Sequence, residues 1–117
     1  MPISRSKTIA PFDVVVVPFP YSDRLTEKRR PAIVVSSNQL MAKYRLIWLV
    51  MVTSADNRRW DCDVDVSDLA SAGLPAPSRV RPAKLATIDS DRVVQRVGRL
   101  TNKDTRALEA QLRLFLG

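Results

Sequence analysis

Two arginines directly before a proline are the first residues of this chain whose position suggests chemistry. In the segment TEKRRPAIVVSS, Arg29 and Arg30 close a polar stretch, and Pro31 favours an extended backbone at the start of an apolar run. A guanidinium keeps its charge, and its planar fork can form two hydrogen bonds to one phosphate. A solvated loop charge is the commoner role of such a residue, so the case for phosphate chemistry depends on the rest of the chain.

Cationic and aromatic side chains are concentrated in two polar stretches. Arg24 and Lys28 lie in the first stretch beside Arg29, and the second contains Arg58, Arg59 and Trp60. Basic side chains can contact phosphates while an aromatic ring stacks on an unpaired base. Packing at the start of a strand is an equally good explanation of the tryptophan, so the pattern favours nucleic-acid binding without deciding the role of the ring.

The composition narrows the possible partners and reactions. Lys and Arg number 19 against 12 Asp and Glu, and the net charge of +7 in 117 residues indicates a polyanionic partner, either nucleic acid or an acidic protein segment. The sequence contains no histidine, which excludes imidazole acid–base catalysis and histidine-based zinc sites. Cys62 is the single cysteine, and with no histidine to activate it we interpret it as a core residue.

Three aspartates alternate with apolar residues in the segment DCDVDVS. Asp61, Asp63 and Asp65 would lie on one side of a strand, opposite Cys62 and its neighbouring valines. A metal site is one reading of three such carboxylates, but the alternation already accounts for them as the solvated face of a strand. We therefore predict an exposed acidic face here and no metal site.

The elements that must position these residues are mostly strands. Apolar or alternating patterns predict extended segments at 13–19, 31–37, 45–53, 61–67, 78–88 and 92–100. Residues 38–44 form a connection or a short helix, and Ser67 can cap a short helix over 68–72. Thr101 and Asp104 resemble a capping box. The helix that follows would place four apolar residues on one face: Leu108, Leu112, Phe115 and Leu116.

Short strands joined by loops, with helices at the margins, predict a mainly β fold, a small and strongly curved barrel. We expect residues 1–11 to form an N-terminal arm and residues 12–117 to form one domain. No signal peptide and no apolar stretch long enough to cross a bilayer is present in the sequence, so we expect a cytoplasmic protein without membrane contact.

Three parts of the sequence together resemble the MazF/PemK family of toxins from bacterial toxin–antitoxin pairs. They are DVVVVPFPYSD with KRRPAIVVS, then VMVTS, and then VRPAKLATID with VGRL and the terminal helix. The resemblance covers roughly residues 12–117, and the order of the motifs makes it more specific than any single motif. It implies an SH3-like barrel of the CcdB/MazF kind, a homodimer, and a sequence-specific endoribonuclease that needs no metal or other cofactor. Its substrate would be single-stranded RNA, cut by 2′-hydroxyl attack to leave 2′,3′-cyclic phosphate and 5′-hydroxyl ends.

The resemblance also implies roles for individual residues. Arg30 matches the family's catalytic arginine, and Thr53 matches its catalytic threonine. Because a free guanidinium rarely loses its proton, an arginine such as Arg30 is better suited to stabilise charge on the phosphate than to abstract a proton. Thr53 can donate its hydroxyl to a phosphoryl oxygen, although bonding to the backbone is the commoner role of a threonine at a strand end. From the residues themselves we expect RNA binding at eight positions: Arg24, Lys28, Arg29, Arg58, Arg59, Trp60, Arg81 and Lys84. For Arg81 and Lys84, a surface charge is an equally open reading of the sequence.

A toxin of this kind implies a cognate antitoxin, whose disordered acidic segment would lie across the basic groove. Two other functions are compatible with the same scaffold: a CcdB-type toxin that binds gyrase, and a basic module that binds nucleic acid without cutting it. The sequence departs from the family's pattern at two positions. Phe12 stands where the family usually has glycine, and Arg79 stands where relatives are often apolar.

Overall fold

The computed structural model of the chain describes residues 9–20 and 27–117. Six strands and three α-helices lie within these ranges: β1 (Asp13–Pro20), β2 (Glu27–Val34), α1 (Asn38–Tyr44), β3 (Leu46–Ser54), β4 (Val64–Asp65), α2 (Leu69–Ala72), β5 (Ser78–Asp89), β6 (Gln95–Arg99) and α3 (Asn102–Leu116). A short 3₁₀ helix, Ser90–Arg92, links β5 to β6. No helix in the described part of the chain combines the length and apolar character needed to span a membrane.

The six strands form one curled sheet, a half-barrel, in the order β4-β5-β3-β2-β1-β6. All neighbouring strands in this order are antiparallel. The predicted fold class, a mainly β SH3-like barrel with short helices and a C-terminal helix, is confirmed. The division into an arm over 1–11 and a domain over 12–117 stays a prediction, because residues 1–8 lie outside the described ranges.

The valine run of β1 is buried on both faces of the sheet. Val14 packs in one apolar cluster with Leu108 of α3, whereas Val15 and Val17 pack in a second cluster with Ile9. Successive residues of a strand point to opposite faces, so a strand covered on both sides must be apolar throughout. This two-sided burial explains why the segment does not alternate.

The C-terminal helix is capped as predicted. The Thr101 side chain accepts a hydrogen bond from the Asp104 backbone N–H at 3.2 Å. The Asp104 carboxylate is buried and accepts from both the backbone N–H and the hydroxyl of Ser67, at 2.8 and 2.9 Å, which ties the helix to the end of β4. Ser67 is thereby drawn away from α2, whose N-cap is Asp68, and the predicted cap is wrong by one residue.

The predicted apolar face of this helix is buried only over its first half. Leu108 is fully buried and Leu112 packs against the same cluster, whereas Phe115 and Leu116 are 53% and 75% exposed. The helix extends past the edge of the core, so that the 3.6-residue periodicity continues where no element of the described ranges covers it.

Phe12 occupies a backbone conformation that glycine adopts without strain. Its φ of 70° lies in the left-handed region. The backbone there is held on both sides, because the Phe12 N–H donates to the Val34 carbonyl at 2.6 Å and the Leu100 N–H donates to the Phe12 carbonyl at 3.1 Å. The ring packs against the cluster that contains Val14, and this packing offsets part of the backbone strain.

Candidate active site

Arg30 and Thr53 are brought together by the pairing of β2 with β3. Ala32 lies opposite Met51, and the same antiparallel register continued by two residues brings Arg30 level with Thr53. Both side chains are half-buried and line a cavity of about 180 Å³. The two residues, which the sequence placed directly before one strand and at the end of the next, therefore line one cavity.

Arg30 lies within strand β2 and not directly before its first residue. The sequence pattern placed the start of this strand at Pro31, but β2 begins at Glu27. Arg30 is paired with Val17 and Lys28 with Phe19, so the ladder to β1 extends the strand beyond its apolar run. Because this pairing holds the Arg30 backbone on a rigid sheet, the direction of its side chain is well defined.

A bulge in β5 supplies the other cations of the cavity. Val50 lies opposite Leu85 and Met51 opposite Arg81, which leaves the residues from Pro82 to Lys84 as an insertion on the β5 side. Such an insertion bends the strand and redirects its side chains. The cavity is accordingly lined by residues of β1, β2, β3 and β5: Phe19, Arg30, Met51, Val52, Thr53, Arg81 and Lys84.

Asn57 contacts Thr53 and was missed by the sequence analysis. Its Nδ2 atom donates to Thr53 Oγ1 at 2.6 Å. A threonine hydroxyl has one proton, and since its oxygen accepts from Asn57, that proton can be donated to another group. The polar turn sequence SADN was the only available signal, and it did not indicate which side chain would return to the strand end.

Arg79 anchors the turn that carries Asn57. Its Nη1 donates to the carbonyls of Ala55 and Asn57, both at 3.0 Å, and its Nε donates to Asp65 at 3.1 Å. Arg79 is thus half-buried against the loop that follows β3, where an apolar side chain could form none of these hydrogen bonds. This departure from the family's pattern has a structural role beside the cavity.

Arg81 is held by a buried carboxylate. Its Nε and Nη2 atoms donate to the two oxygens of Asp63 at 3.0 and 2.8 Å, and Nη2 also donates to the Arg58 carbonyl at 2.8 Å. The Asp63 carboxylate also accepts from the Trp60 backbone N–H at 2.9 Å. Asp63 therefore joins the loop after β3 to the bulge of β5.

The surroundings of Asp63 favour its charged form. Burial by itself would raise the pKa of the carboxyl, but hydrogen bonds from Arg81 and the Trp60 N–H, with the charges of Arg81 and Arg59, outweigh it and hold the pKa below its usual value. The same ion pair holds the pKa of Arg81 above its usual value. Asp63 and Arg81 thus remain an ion pair at neutral pH.

The predicted exposed acidic face is wrong at Asp63. Only Val64 and Asp65 form a strand here, since the Asp63 N–H closes a turn onto the Trp60 carbonyl at 2.9 Å and turns its side chain inward. Asp61 and Asp65 are exposed, and Asp65 accepts from Arg59 at 2.8 Å. No group of three or more residues suited to hold a metal ion occurs in the described part of the chain.

The other predicted RNA-binding residues lie around these loops. Lys28 and Arg29 are exposed near the start of β2, and Arg58 and Arg59 are exposed after β3. Lys84 lines the cavity, and Trp60 is partly exposed. Arg24 lies outside the described residues.

The fold is a small β half-barrel, and its cavity is lined by two arginines, a lysine and a threonine, among other residues. These are features of a small basic protein whose cavity is suited to an anionic ligand. The sequence model of the family described as "PemK-like, MazF-like toxin of type II toxin-antitoxin system" matches residues 10–116. The chain belongs to this family, as its motifs predicted. Comparison with curated protein sequences gave no match.

Solved structures of similar fold include several toxins of this kind. MazF from Deinococcus radiodurans is 19% identical, with a TM-score of 0.74 over 93% of this chain and 96% of that chain. A MazE–MazF complex from the same organism is 18% identical, with a TM-score of 0.71 over 93% and 95% of the two chains. An endoribonuclease from a mycobacterial species, in complex with its cognate antitoxin, is 17% identical, with a TM-score of 0.75 over 94% and 96%.

Proposed function

We propose that this toxin is an endoribonuclease that cleaves single-stranded RNA without a metal ion. The observation that carries the proposal is the shared cavity of Arg30 and Thr53, with Arg81 and Lys84 on its wall. An arginine and a hydroxyl donor facing one basic cavity are the groups that phosphate chemistry requires. The similar fold of a mycobacterial endoribonuclease supports the same function.

The reaction is a transesterification within the RNA. The 2′-oxygen forms a bond to the adjacent phosphorus, the bond from phosphorus to the 5′-oxygen breaks, and the products are a 2′,3′-cyclic phosphate and a 5′-hydroxyl. The 2′-hydroxyl loses its proton and the departing 5′-oxygen gains one. Since the nucleophile belongs to the substrate, the protein must mainly orient the strand and stabilise negative charge on the phosphate.

Arg30 and Thr53 both stabilise negative charge on the phosphate. Arg30 donates to the non-bridging phosphate oxygens, and the planar fork of its guanidinium can form two hydrogen bonds to one phosphate. Thr53 donates a hydrogen bond from its hydroxyl to the same phosphate, since the hydroxyl oxygen already accepts a hydrogen bond from Asn57. Both groups would act more strongly in the transition state, where charge on the phosphate increases.

The RNA strand is bound by the cations around the cavity. Lys28 and Arg29 are exposed on β2, and Arg58 and Arg59 are exposed on the loop after β3. These four cations can contact successive phosphates, and Lys84 extends this set into the cavity. Arg24 belongs to the same proposed set by its position in the sequence. These contacts are electrostatic and would bind strands of many sequences.

The proposed partners are a cognate antitoxin and a second copy of the chain. Two structures of similar fold contain toxin with antitoxin, which supports an antitoxin here as well. An acidic antitoxin segment would be attracted by the net charge of +7 and would block the cavity. The exposed apolar residues at the end of α3 are compatible with a homodimer interface.

The test is incubation of the purified protein with mixed-sequence single-stranded RNA in excess EDTA, beside the Arg30→Ala variant. We expect discrete cuts with 2′,3′-cyclic phosphate ends, and a loss of at least about 100-fold in kcat for the variant, which is typical of removing one transition-state donor. Mass spectrometry of the product ends and initial rates would measure both effects.

Arg29→Ala is the matched control, because Arg29 is the adjacent arginine and is exposed. We expect it to raise KM with little change in kcat, since a phosphate contact away from the scissile bond contributes to binding alone. Intact RNA in every sample, from protein free of copurified antitoxin, would contradict the nuclease and favour a toxin that binds gyrase or a module that only binds nucleic acid.

A further inference from the structure

The Trp60 ring lies against the cations of the cavity wall. The Arg81 guanidinium carbon is 4.0 Å from the ring centroid, within the range of a cation–π contact, and Lys84 Nζ is 5.9 Å from it. The residue nevertheless remains 39% exposed. Part of this residue is therefore accessible in the described part of the chain.

Arg81 lines the cavity, but the protein itself holds its guanidinium through two of its three nitrogens. Its side chain is 10% exposed, and its hydrogen bonds to Asp63 and to the Arg58 carbonyl already occupy Nε and Nη2. Asp63 in turn is bonded to the Trp60 backbone N–H. The carboxylate and the guanidinium thus fix both the backbone and the ring of Trp60, which gives Arg81 a positioning role.

We propose that Trp60, held by Asp63 and Arg81, is a stacking subsite for one unpaired purine of the bound strand. A rigid indole offers a large flat surface at little cost in conformational entropy, and stacking of a base on an aromatic side chain contributes about 1–3 kcal/mol. The Arg81 cation draws π-electron density toward itself, so the opposite face of the ring attracts an electron-rich base. Purines present the larger and more polarizable surface.

The stacking subsite lies close to the proposed cleavage site. Arg81 and Lys84 line the cavity that Arg30 and Thr53 share, and both also approach the Trp60 ring. A base on Trp60 would therefore belong to a nucleotide adjacent to the phosphate in the cavity. The identification of the strand as RNA rests on the proposed function, whereas the stacking itself requires only a single-stranded nucleic acid.

Binding of deoxyribonucleotide hexamers tests the subsite without any cleavage, because these strands lack the 2′-hydroxyl. The ligands are a hexamer of deoxyuridines and a series in which one deoxyadenosine occupies each position in turn. Since the chain has two tryptophans, a Trp48→Phe background isolates the emission of Trp60. We expect one position of the adenine to strengthen binding at least about fivefold and to quench Trp60 emission.

Substitutions at two residues, Trp60 and Asp63, separate stacking from charge. Trp60→Leu, with binding followed by anisotropy of a labelled strand, should abolish the adenine preference, and Trp60→Phe should restore part of it. Asp63→Asn removes the anchor of Arg81 but keeps its charge, and we expect the preference to fall below about twofold. If Arg81 instead contacted phosphate directly, releasing it from Asp63 would leave or strengthen the affinity for every hexamer, and the positioning role would be wrong.

The experiment distinguishes a failure of the stacking subsite from a failure of the proposed nuclease activity. An adenine preference that survives Trp60→Leu, no preference at any position, or no binding of any hexamer would overturn the subsite even if RNA is cleaved. A preference lost in Trp60→Leu would establish the subsite even if RNA stays intact. Thermal unfolding of each variant would show that it is folded at the assay temperature, and Trp60→Leu at a partly exposed residue does not depend on the buried ion pair.

Discussion

At the scale of single residues, the 2.6 Å hydrogen bond from Asn57 Nδ2 to Thr53 Oγ1 determines where the hydroxyl proton of Thr53 points. As long as Asn57 donates, the Thr53 hydroxyl is left to donate toward the cavity. An aspartate at position 57 would have nearly the same shape but could only accept, so the Thr53 proton would turn toward the new carboxylate.

We predict that Asn57→Asp lowers kcat for RNA cleavage about as much as Thr53→Val does, by about 100-fold, because each change removes the same donor from the transition state. Single-turnover cleavage rates at saturating protein would measure this. The new negative charge is controlled for by the Thr53→Val/Asn57→Asp double variant. If the charge alone were responsible, the double variant would be about 100-fold slower than Thr53→Val. If the hydroxyl mediates the effect, the two would cleave at similar rates.

At the scale of elements, β5 holds the loop after β3 by two arginines on the same face of the strand. Arg79 bonds the carbonyls of Ala55 and Asn57, and Arg81 bonds the Arg58 carbonyl and the buried Asp63. Alternate residues of a strand share a face, so one strand can clamp successive parts of a neighbouring loop. The loop that carries Asn57 and Trp60 is therefore held by side chains of the sheet as well as by its own turns.

We predict that Asp63→Asn lowers the free energy of unfolding at pH 7 by about 3 kcal/mol, because it leaves the Arg81 charge buried without its partner. The pKa of Asp63 is lowered in the folded state, so the folded protein binds this proton less readily than the unfolded chain does. The stability due to Asp63 is therefore fully present above the ordinary carboxyl pKa near 3.9 and is lost as the pH falls through its lower folded value.

Urea unfolding between pH 7 and pH 3 would measure both effects. The difference in stability between the native protein and Asp63→Asn should be largest at neutral pH and should shrink below about pH 4. Asp61→Asn is the matched control, since Asp61 is exposed two residues away, and we expect a change within about 0.5 kcal/mol. A constant difference at all pH values would mean that the charge of Asp63 contributes nothing to stability.

At the scale of the whole molecule, the net charge of +7 and the placement of cations at one cavity act together. Binding of a single strand releases counterions, so the logarithm of its affinity should fall linearly with the logarithm of salt concentration, with a slope of about −0.7 for each neutralised phosphate. The slope therefore reports how many cations contact the strand.

We predict that Lys84→Ala makes this slope less steep by about 0.7, since Lys84 lines the cavity. Lys43→Ala removes the same charge near the start of β3, while Thr53 lies near its far end, and it should leave the slope unchanged. Titration of a 2′-deoxy oligonucleotide at several salt concentrations would compare them. Equal slopes for both variants would mean that the strand responds to net charge and does not contact Lys84.

Patterns along the chain were sufficient for the family, the β-rich fold class and most strand positions. Continuous valines predicted a strand buried on both faces, and Thr101 with Asp104 predicted the start of α3. Arg30 and Thr53 were predicted to be catalytic from their positions in family motifs, and their roles stay a prediction. These features could be predicted because local periodicity and short motifs depend on residues that are neighbours in sequence.

The tertiary structure alone decided which of these residues meet. The pairing of β2 with β3 brings Arg30 and Thr53 to one cavity, and the bulge in β5 brings Arg81 and Lys84 to the same cavity. Asp63 shows the limit of a local pattern: alternation predicted an exposed carboxylate, but a turn at Trp60 buries it against an arginine that lies on another strand. Strand register, bulges and buried ion pairs depend on contacts between distant segments, and no short window of sequence contains both partners.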